Sequence, residues 1–243
     1  METHCIIGDI HGEYHMLLEL VAKLPKDTKL IFVGDLINRA SQSSEVVKFV
    51  RENAFAMVRG NHEGYLLKYG RILINAIQTE HKYPMSNIWI NKYCKSTFHS
   101  YGLMKQNSSE IIRNFECLKK FEDDLQWLIS QPLYIELGEI DNYPLPVVIS
   151  HGSVGDYWHL RESNKEEFEF QVLNNRNKPS LQSPIFNIHG HHSVEEIEVG
   201  YNFINLDTGC GKRGDNGKLS AYCVETGEVF EVRKYEFIEE SVA

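Results

Sequence analysis

The sequence predicts an α/β domain in which parallel strands are joined by crossover helices, and three observations predict it. Short apolar, β-branched runs end abruptly in glycine and polar residues: Cys5-Ile6-Ile7 before Gly8-Asp9, Leu30-Ile31-Phe32-Val33 before Gly34-Asp35, and Phe55-Ala56-Met57-Val58 before Arg59-Gly60-Asn61-His62. Such runs are buried strands. Between them, Leu17, Leu18, Val21 and Leu24 recur at helical spacing before Pro25, and Val46, Val47 and Val50 do so after the capping residues between Ser41 and Ser44. Strand, helix and strand in alternation imply a parallel sheet. Beyond Pro132 short apolar runs return, several of them separated by glycine-rich turns.

The remaining elements follow in order. Residues 62 to 131 read as mostly helical, with Leu66-Leu67, Ile72-Leu73-Ile74, Ile111-Ile112 and Leu125 through Ile129 as apolar faces, and residues 84–130 read as a helical cap. From Pro132 the strands are Leu133 to Leu137, Val147 to Ile149, Ile185 to Ile188, Phe203 to Leu206, Leu219 to Val224 and Val229 to Val232, at hairpin-like spacing. No internal repeat, low-complexity tract or linker divides the chain, so residues 1–243 are expected to form one domain.

Composition narrows the function classes. The net charge of −9 disfavours a nucleic-acid backbone as main partner. No apolar run approaches the roughly 18 residues of a membrane span, and the start, METHCIIGD, has no basic, apolar leader pattern, so a cytoplasmic protein without membrane partners is expected. Cys5, Cys94, Cys117, Cys210 and Cys223 are odd in number and widely spaced, and are expected to be reduced packing residues.

The chemistry sits where the strands stop. Six apolar runs are followed by Asp9 and His11, Asp35, Asn61 and His62, His151, His191, and Asp207. The carboxyl ends of strands in an open α/β sheet line a shared crevice, where residues distant in sequence converge. Each piece has a bland explanation: Gly-Asp is ordinary turn chemistry and Asn61 could cap a helix. Six recurrences of one figure are harder to explain that way. Carboxylate, imidazole and amide oxygen together suit Mn, Fe or Zn better than structural zinc or calcium. The donors exceed what one ion needs, and Asp35 is the carboxylate available to bridge, so two divalent ions are expected, with Mn2+ the expected metal.

The motifs Gly8-Asp9-Ile10-His11-Gly12, Gly34-Asp35-Leu36-Ile37-Asn38-Arg39, Gly60-Asn61-His62-Glu63, Ser150-His151-Gly152 and Gly190-His191, in this order, resemble those of the calcineurin-like metallophosphoesterase superfamily. The spacing is similar to that of its bacterial and phage serine/threonine phosphoprotein phosphatases, a branch related to symmetrical diadenosine tetraphosphate hydrolases. The resemblance implies a two-sheet β-sandwich flanked by helices. It also implies one ion on Asp9, His11 and Asp35, a second on Asp35, Asn61, His151 and His191, His62 as general acid and Arg39 as phosphate ligand. Arg176 resembles a second phosphate-binding arginine, with Arg161 as competitor, and Asp207-Thr208-Gly209 resembles a late motif that supports the site from behind. Asn38 departs from the pattern, since an aspartate usually stands there to support the general acid. His189 and His192 crowd the His191 position. The implied activity is hydrolysis of phosphomonoesters, phosphoserine or phosphothreonine in proteins among them, by a hydroxide held between two cations. Dinucleoside polyphosphate hydrolysis and a degenerate module that binds phospho-ligands without turnover are the alternatives.

Overall fold

A computed structural model describes residues 3–79, 90–106, 108, 110–212 and 216–234. Its architecture is two five-stranded mixed sheets packed face to face, with helices on the outer faces. In the first sheet, β1 (His4–Ile7), β2 (Lys29–Phe32) and β3 (Ala56–Met57) run parallel. The hairpin of β9 (Lys218–Cys223) and β10 (Val229–Arg233) adds antiparallel to β1, giving the order β10-β9-β1-β2-β3. The second sheet has the order β4-β5-β6-β8-β7, from β4 (Tyr134–Gly138), β5 (Val147–Ser150), β6 (Phe186–His189), β7 (Glu198–Val199) and β8 (Phe203–Asn205).

Alternation along the strands builds the layers. Ile6, Ile31, Val33 and Val58 point between the sheets, where they meet Val147, Ile149, Phe186, Ile188 and Ile204. Their neighbours Cys5, Ile7, Leu30, Phe32 and Met57 point the other way, onto α1 (Tyr14–Lys23), α2 (Ser43–Asn53) and α3 (Asn61–Thr79). Apolar residues on both faces explain why these strands read as unbroken hydrophobic runs. Val148 faces outward from the second sheet onto Trp158 and α7 (Lys165–Asn174), through Phe168 and Val172.

Several expectations need correction. Hairpin-like spacing after Pro132 holds for β4–β5, β7–β8 and β9–β10, but β5, β6 and β8 are parallel neighbours. Parallel pairing requires a crossover, which α6 (Leu160–Ser163) and α7 supply between β5 and β6. Ile111 and Ile112 are not on a helix, because Ile111 bridges Met104 in an extended link. The proposed cap comprises a π-helical turn at Ile90–Cys94, α4 (Lys95–Ser100) and α5 (Phe115–Ser130), while residues 84–89, 107 and 109 of it lie outside the described residues. The α5 helix packs on α3, with the Phe121 ring against Gly70, and α4 packs on α2. Two of the five cysteines are not separate thiols. Cys5 and Cys223 face each other across β1 and β9 and are joined in a disulfide, a pairing hidden in sequence by a separation of 218. No helix among the described residues is long and apolar enough to cross a membrane.

Candidate metal centre

The parallel strands point their carboxyl ends the same way, and the candidate residues follow them: Asp9 and His11 after β1, Asp35 after β2, Asn61 and His62 after β3, His151 after β5, His191 after β6 and Asp207 after β8. All but Asn61 are buried. The loops that present them are strained. His11 (φ 51°), Asp35 (52°), Asn38 (71°), Arg39 (67°) and His191 (68°) adopt the left-handed conformation, which costs of order 1–3 kcal/mol at a residue with a side chain. Such strain persists only where surrounding contacts enforce it. At Gly190, a Cβ would collide with Asp9 Oδ1, so only glycine lets the His191 loop reach the first strand.

Asp35 stands between two donor groups. Its Oδ2 lies 3.6 Å from His11 Nε2 and 3.8 Å from His62 Nε2, and its Oδ1 lies 3.4 Å from His151 Nε2. His151 Nε2 is in turn 3.1 Å from His191 Nδ1 and 3.0 Å from Asn61 Oδ1. Ligands about 2.0–2.2 Å from one ion lie roughly 3–4 Å from one another, and in the groups His11–Asp35–His62 and Asp35–His151–His191 one ligand atom from each residue lies within 4.8 Å of the others. Asp9 belongs to neither group but places Oδ2 3.8 Å from His11 Nε2.

The hydrogen bonds test whether cations fit. His11 Nδ1 donates to Ile37 O at 3.0 Å and His151 Nδ1 to Val33 O at 2.8 Å. Each bond sets the tautomer and turns an Nε2 lone pair into the cluster, as second partners of metal-binding histidines do. His11 Nε2 is buried without a hydrogen-bond partner. Asn61 Oδ1 faces only acceptors, Asp35 and His151. Rotation of the amide would relieve this in the ion-free molecule, and a cation would relieve it without rotation. The donor set therefore fits divalent ions.

Electrostatics agree. Burial lowers the His11 pKa well below its ordinary value, and His62 adds to the effect. His191 falls to about 3, by burial and then by His151. Burial would raise the Asp35 carboxyl, but His151, His62 and His11 outweigh it and the net shift is strongly downward. At His151 burial lowers the pKa, but Asp35, Asp9 and Glu63 raise it more. Neutral His11 and His191 beside an ionised Asp35 are in the protonation states that bind metal, whereas at His151 an ion would displace the proton that Asp35 favours in the ion-free protein.

Two residues not singled out in sequence hold this arrangement from behind. Glu63, fully buried in the first turn of α3, accepts the backbone N–H groups of Asp35 (3.0 Å), Leu36 (3.0 Å) and Gly60 (2.8 Å), which ties the loops after β2 and β3 together. Burial, then Asp35, raises its pKa to about 7. Thr97, on α4, donates to Asn38 Oδ1 at 2.7 Å, which leaves Asn38 Nδ2 to donate to His62 Nδ1 at 3.0 Å. An aspartate in this place would accept from His62 Nδ1. The Thr97 hydroxyl reverses the roles and leaves the His62 proton on Nε2, toward Asp35. Burial lowers the His62 pKa to about 4, with Asp35 opposing and Arg39 assisting.

The cationic residues sort by position. Arg39 is half-buried over the Tyr93 ring (5.5 Å), and Tyr93 also meets the His62 ring at 5.5 Å. Arg176 is at the cluster, its Nε 3.2 Å from His191 Nε2, an atom that also lies 3.3 Å from Asn174 O. Arg161 is turned away onto the Trp158 ring and carbonyl. His189 stacks on Phe203 and His192 is exposed, and neither belongs to the donor groups.

A family model described as calcineurin-like phosphoesterase matches residues 5–209, the stretch that carries every donor named above. The chain belongs to that family. This phosphoesterase is a hydrolase of a dinuclear-metal-dependent family. It is 26% identical over 232 residues to serine/threonine-protein phosphatase 2 of Escherichia coli K12, covering 90% of this chain and 92% of that protein. It is 27% identical over 237 residues to the asymmetrical bis(5'-nucleosyl)-tetraphosphatase PrpE of Anoxybacillus flavithermus, covering 84% of each. The fold is similar to that of a cold-active protein-tyrosine phosphatase of a psychrophilic Shewanella species, with TM-score 0.55, 17% identity, and 96% and 80% of the two chains covered.

Proposed function

We propose that this phosphoesterase is a phosphatase of phosphomonoesters, phosphoserine and phosphothreonine in proteins among them, working with two Mn2+ ions. Asp9, His11 and Asp35 hold one ion and Asp35, Asn61, His151 and His191 the other. The observation that carries the reading is Asp35, whose two oxygens face separate histidine groups. Bound there, a pair of divalent ions supplies charge neutralisation and an activated water nucleophile. The chain supplies the rest. Arg39 and Arg176 flank the cluster, and their planar guanidinium groups grip the phosphate oxygens. His62, as the imidazolium, presents Nε2–H to the departing oxygen, and the Asn38 amide, which donates to Nδ1 of the neutral ring, turns to accept when the ring is protonated.

A panel of phosphopeptides, phosphorylated sugars and diadenosine tetraphosphate on manganese-loaded protein tests the substrate class. Release of inorganic phosphate from terminal monoesters, with slow action on the dinucleotide, is expected. The second reading is a dinucleoside polyphosphate hydrolase, favoured by the absence of a carboxylate at Asn38 and by the Tyr93 ring beside Arg39 and His62, where a base could stack. Rapid cleavage of diadenosine tetraphosphate to ADP, or to ATP and AMP, with weak action on monoesters would establish it. Tight phosphate binding without turnover would instead make the protein a binding module.

Asn38→Asp is expected to raise the His62 pKa from about 4 by about 1–3 units, because a carboxylate accepts from Nδ1–H and adds a negative charge. A general acid is active below its pKa, so the alkaline limb of the pH–rate profile moves upward. Alkyl phosphates gain more than p-nitrophenyl phosphate, whose leaving group departs without a proton. An unchanged limb would mean that His62 is not the acid.

A further inference from the structure

The turn after β8 folds back over the Asp9–His11 group. Gly211 has φ of 64°, and a Cβ there would stand 2.8 Å from the His11 Cβ and 3.7 Å from the Arg39 Cβ, so the backbone passes directly against the ligand residues. That passage turns Lys212 inward. Its side chain is 15% exposed, and Nζ donates to Asp9 Oδ2 at 3.0 Å and to Asp207 Oδ2. Asp207 is fully buried and is held further by Ser193 Oγ and the Gly209 N–H. The other Asp9 oxygen, Oδ1, accepts the His191 N–H at 3.1 Å. Asp9 Oδ2 is also the atom 3.8 Å from His11 Nε2. The oxygen that an ion beside His11 would use is therefore the one the Lys212 ammonium holds.

We propose that Lys212 is an internal counter-ion for the Asp9–His11 metal site, so that loading this site exchanges one cation for another. The proposal rests on the two-ion reading above. Buried carboxylates without a partner are strongly destabilising, and in the ion-free protein Lys212 pairs with two of them at once, its single charge shared between Asp9 and Asp207. When a divalent ion takes Asp9 Oδ2, the ammonium retreats onto Asp207 and its charge opposes the ion at short range. The ion beside His11 is thus the weaker of the two, and the ion-free fold keeps its loops in place until that ion arrives.

Lys212→Met removes the charge at nearly constant length, and Lys212→Arg keeps it. Calorimetric titration of chelator-stripped protein with Mn2+ is expected to show the weaker site of Lys212→Met tightened by about tenfold. The Tm of that ion-free variant falls below the parent's, and its rise on adding Mn2+ is larger. Lys212→Arg stays close to the parent in both. An unchanged or weakened site in Lys212→Met would overturn the proposal, making Lys212 a prop for Asp9 rather than a competitor. A parent protein that binds no Mn2+ would overturn the two-ion reading itself. If Lys212→Met does not fold, the parent decides: acylation followed by peptide mass spectrometry should modify Lys212 faster with Mn2+ than without, and equal rates would reject the exchange.

Discussion

Asp35→Asn is expected to lose both ions together and to lower kcat/KM on the order of 10^3-fold or more. The fold should survive, because asparagine tolerates the left-handed backbone at φ 52° and its oxygen can still accept the His62 N–H, now 3.0 Å from Asp35 Oδ1. The charge and one oxygen do not survive. An amide offers a single ligand atom, and its NH2 group would face His11 and His62 on one side or His151 on the other. Neither donor group would then keep its carboxylate. Elemental analysis after reconstitution, alongside steady-state kinetics, checks this, and a variant that retains one ion at full occupancy would contradict the bridging role. The ion-free protein has a further signature. The folded Asp35 pKa is depressed, so its charge stabilises the fold at pH above the unfolded carboxylate value of about 4 and is lost as pH falls through the folded value. The stability gap between parent and Asp35→Asn should close on acidification through that window.

His62→Gln is expected to slow hydrolysis of alkyl phosphates by about 10^2–10^4-fold while leaving p-nitrophenyl phosphate much less affected. His62 stands beside Asp35 with its Nδ1 occupied by Asn38 and its Nε2 turned into the cluster, where a proton on the leaving oxygen would be wanted. The same Nε2 also lies close enough to His11 and Asp35 to be a metal ligand. The two roles give different results. An acid affects substrates according to the basicity of the leaving group and leaves metal content unchanged, whereas a ligand affects every substrate equally and lowers the metal content.

The parallel strands, the donor residues at their ends and the family were legible along the chain, because each depends on local order. A buried parallel strand must be apolar on both faces, so Ile6-Ile7 and Ile31-Phe32-Val33 announce themselves, and the residues that follow such strands face a common crevice. The parallel run of β5, β6 and β8 was not legible, since strand spacing alone does not reveal direction and α7 has little apolar periodicity to mark the crossover. Nor were the partners that act across long separations. Thr97 reaches Asn38 across 59 residues and Lys212 reaches Asp9 across 203. The choice of Arg176 over Arg161 was equally open, both being arginines at comparable distance from a motif. Sequence by itself determined which residue types stand at the strand ends, and so the class of chemistry. Tertiary structure alone decided which atoms of those residues face one another, because hydrogen-bond direction and the path of the Gly211 turn depend on packing between segments that the chain keeps far apart.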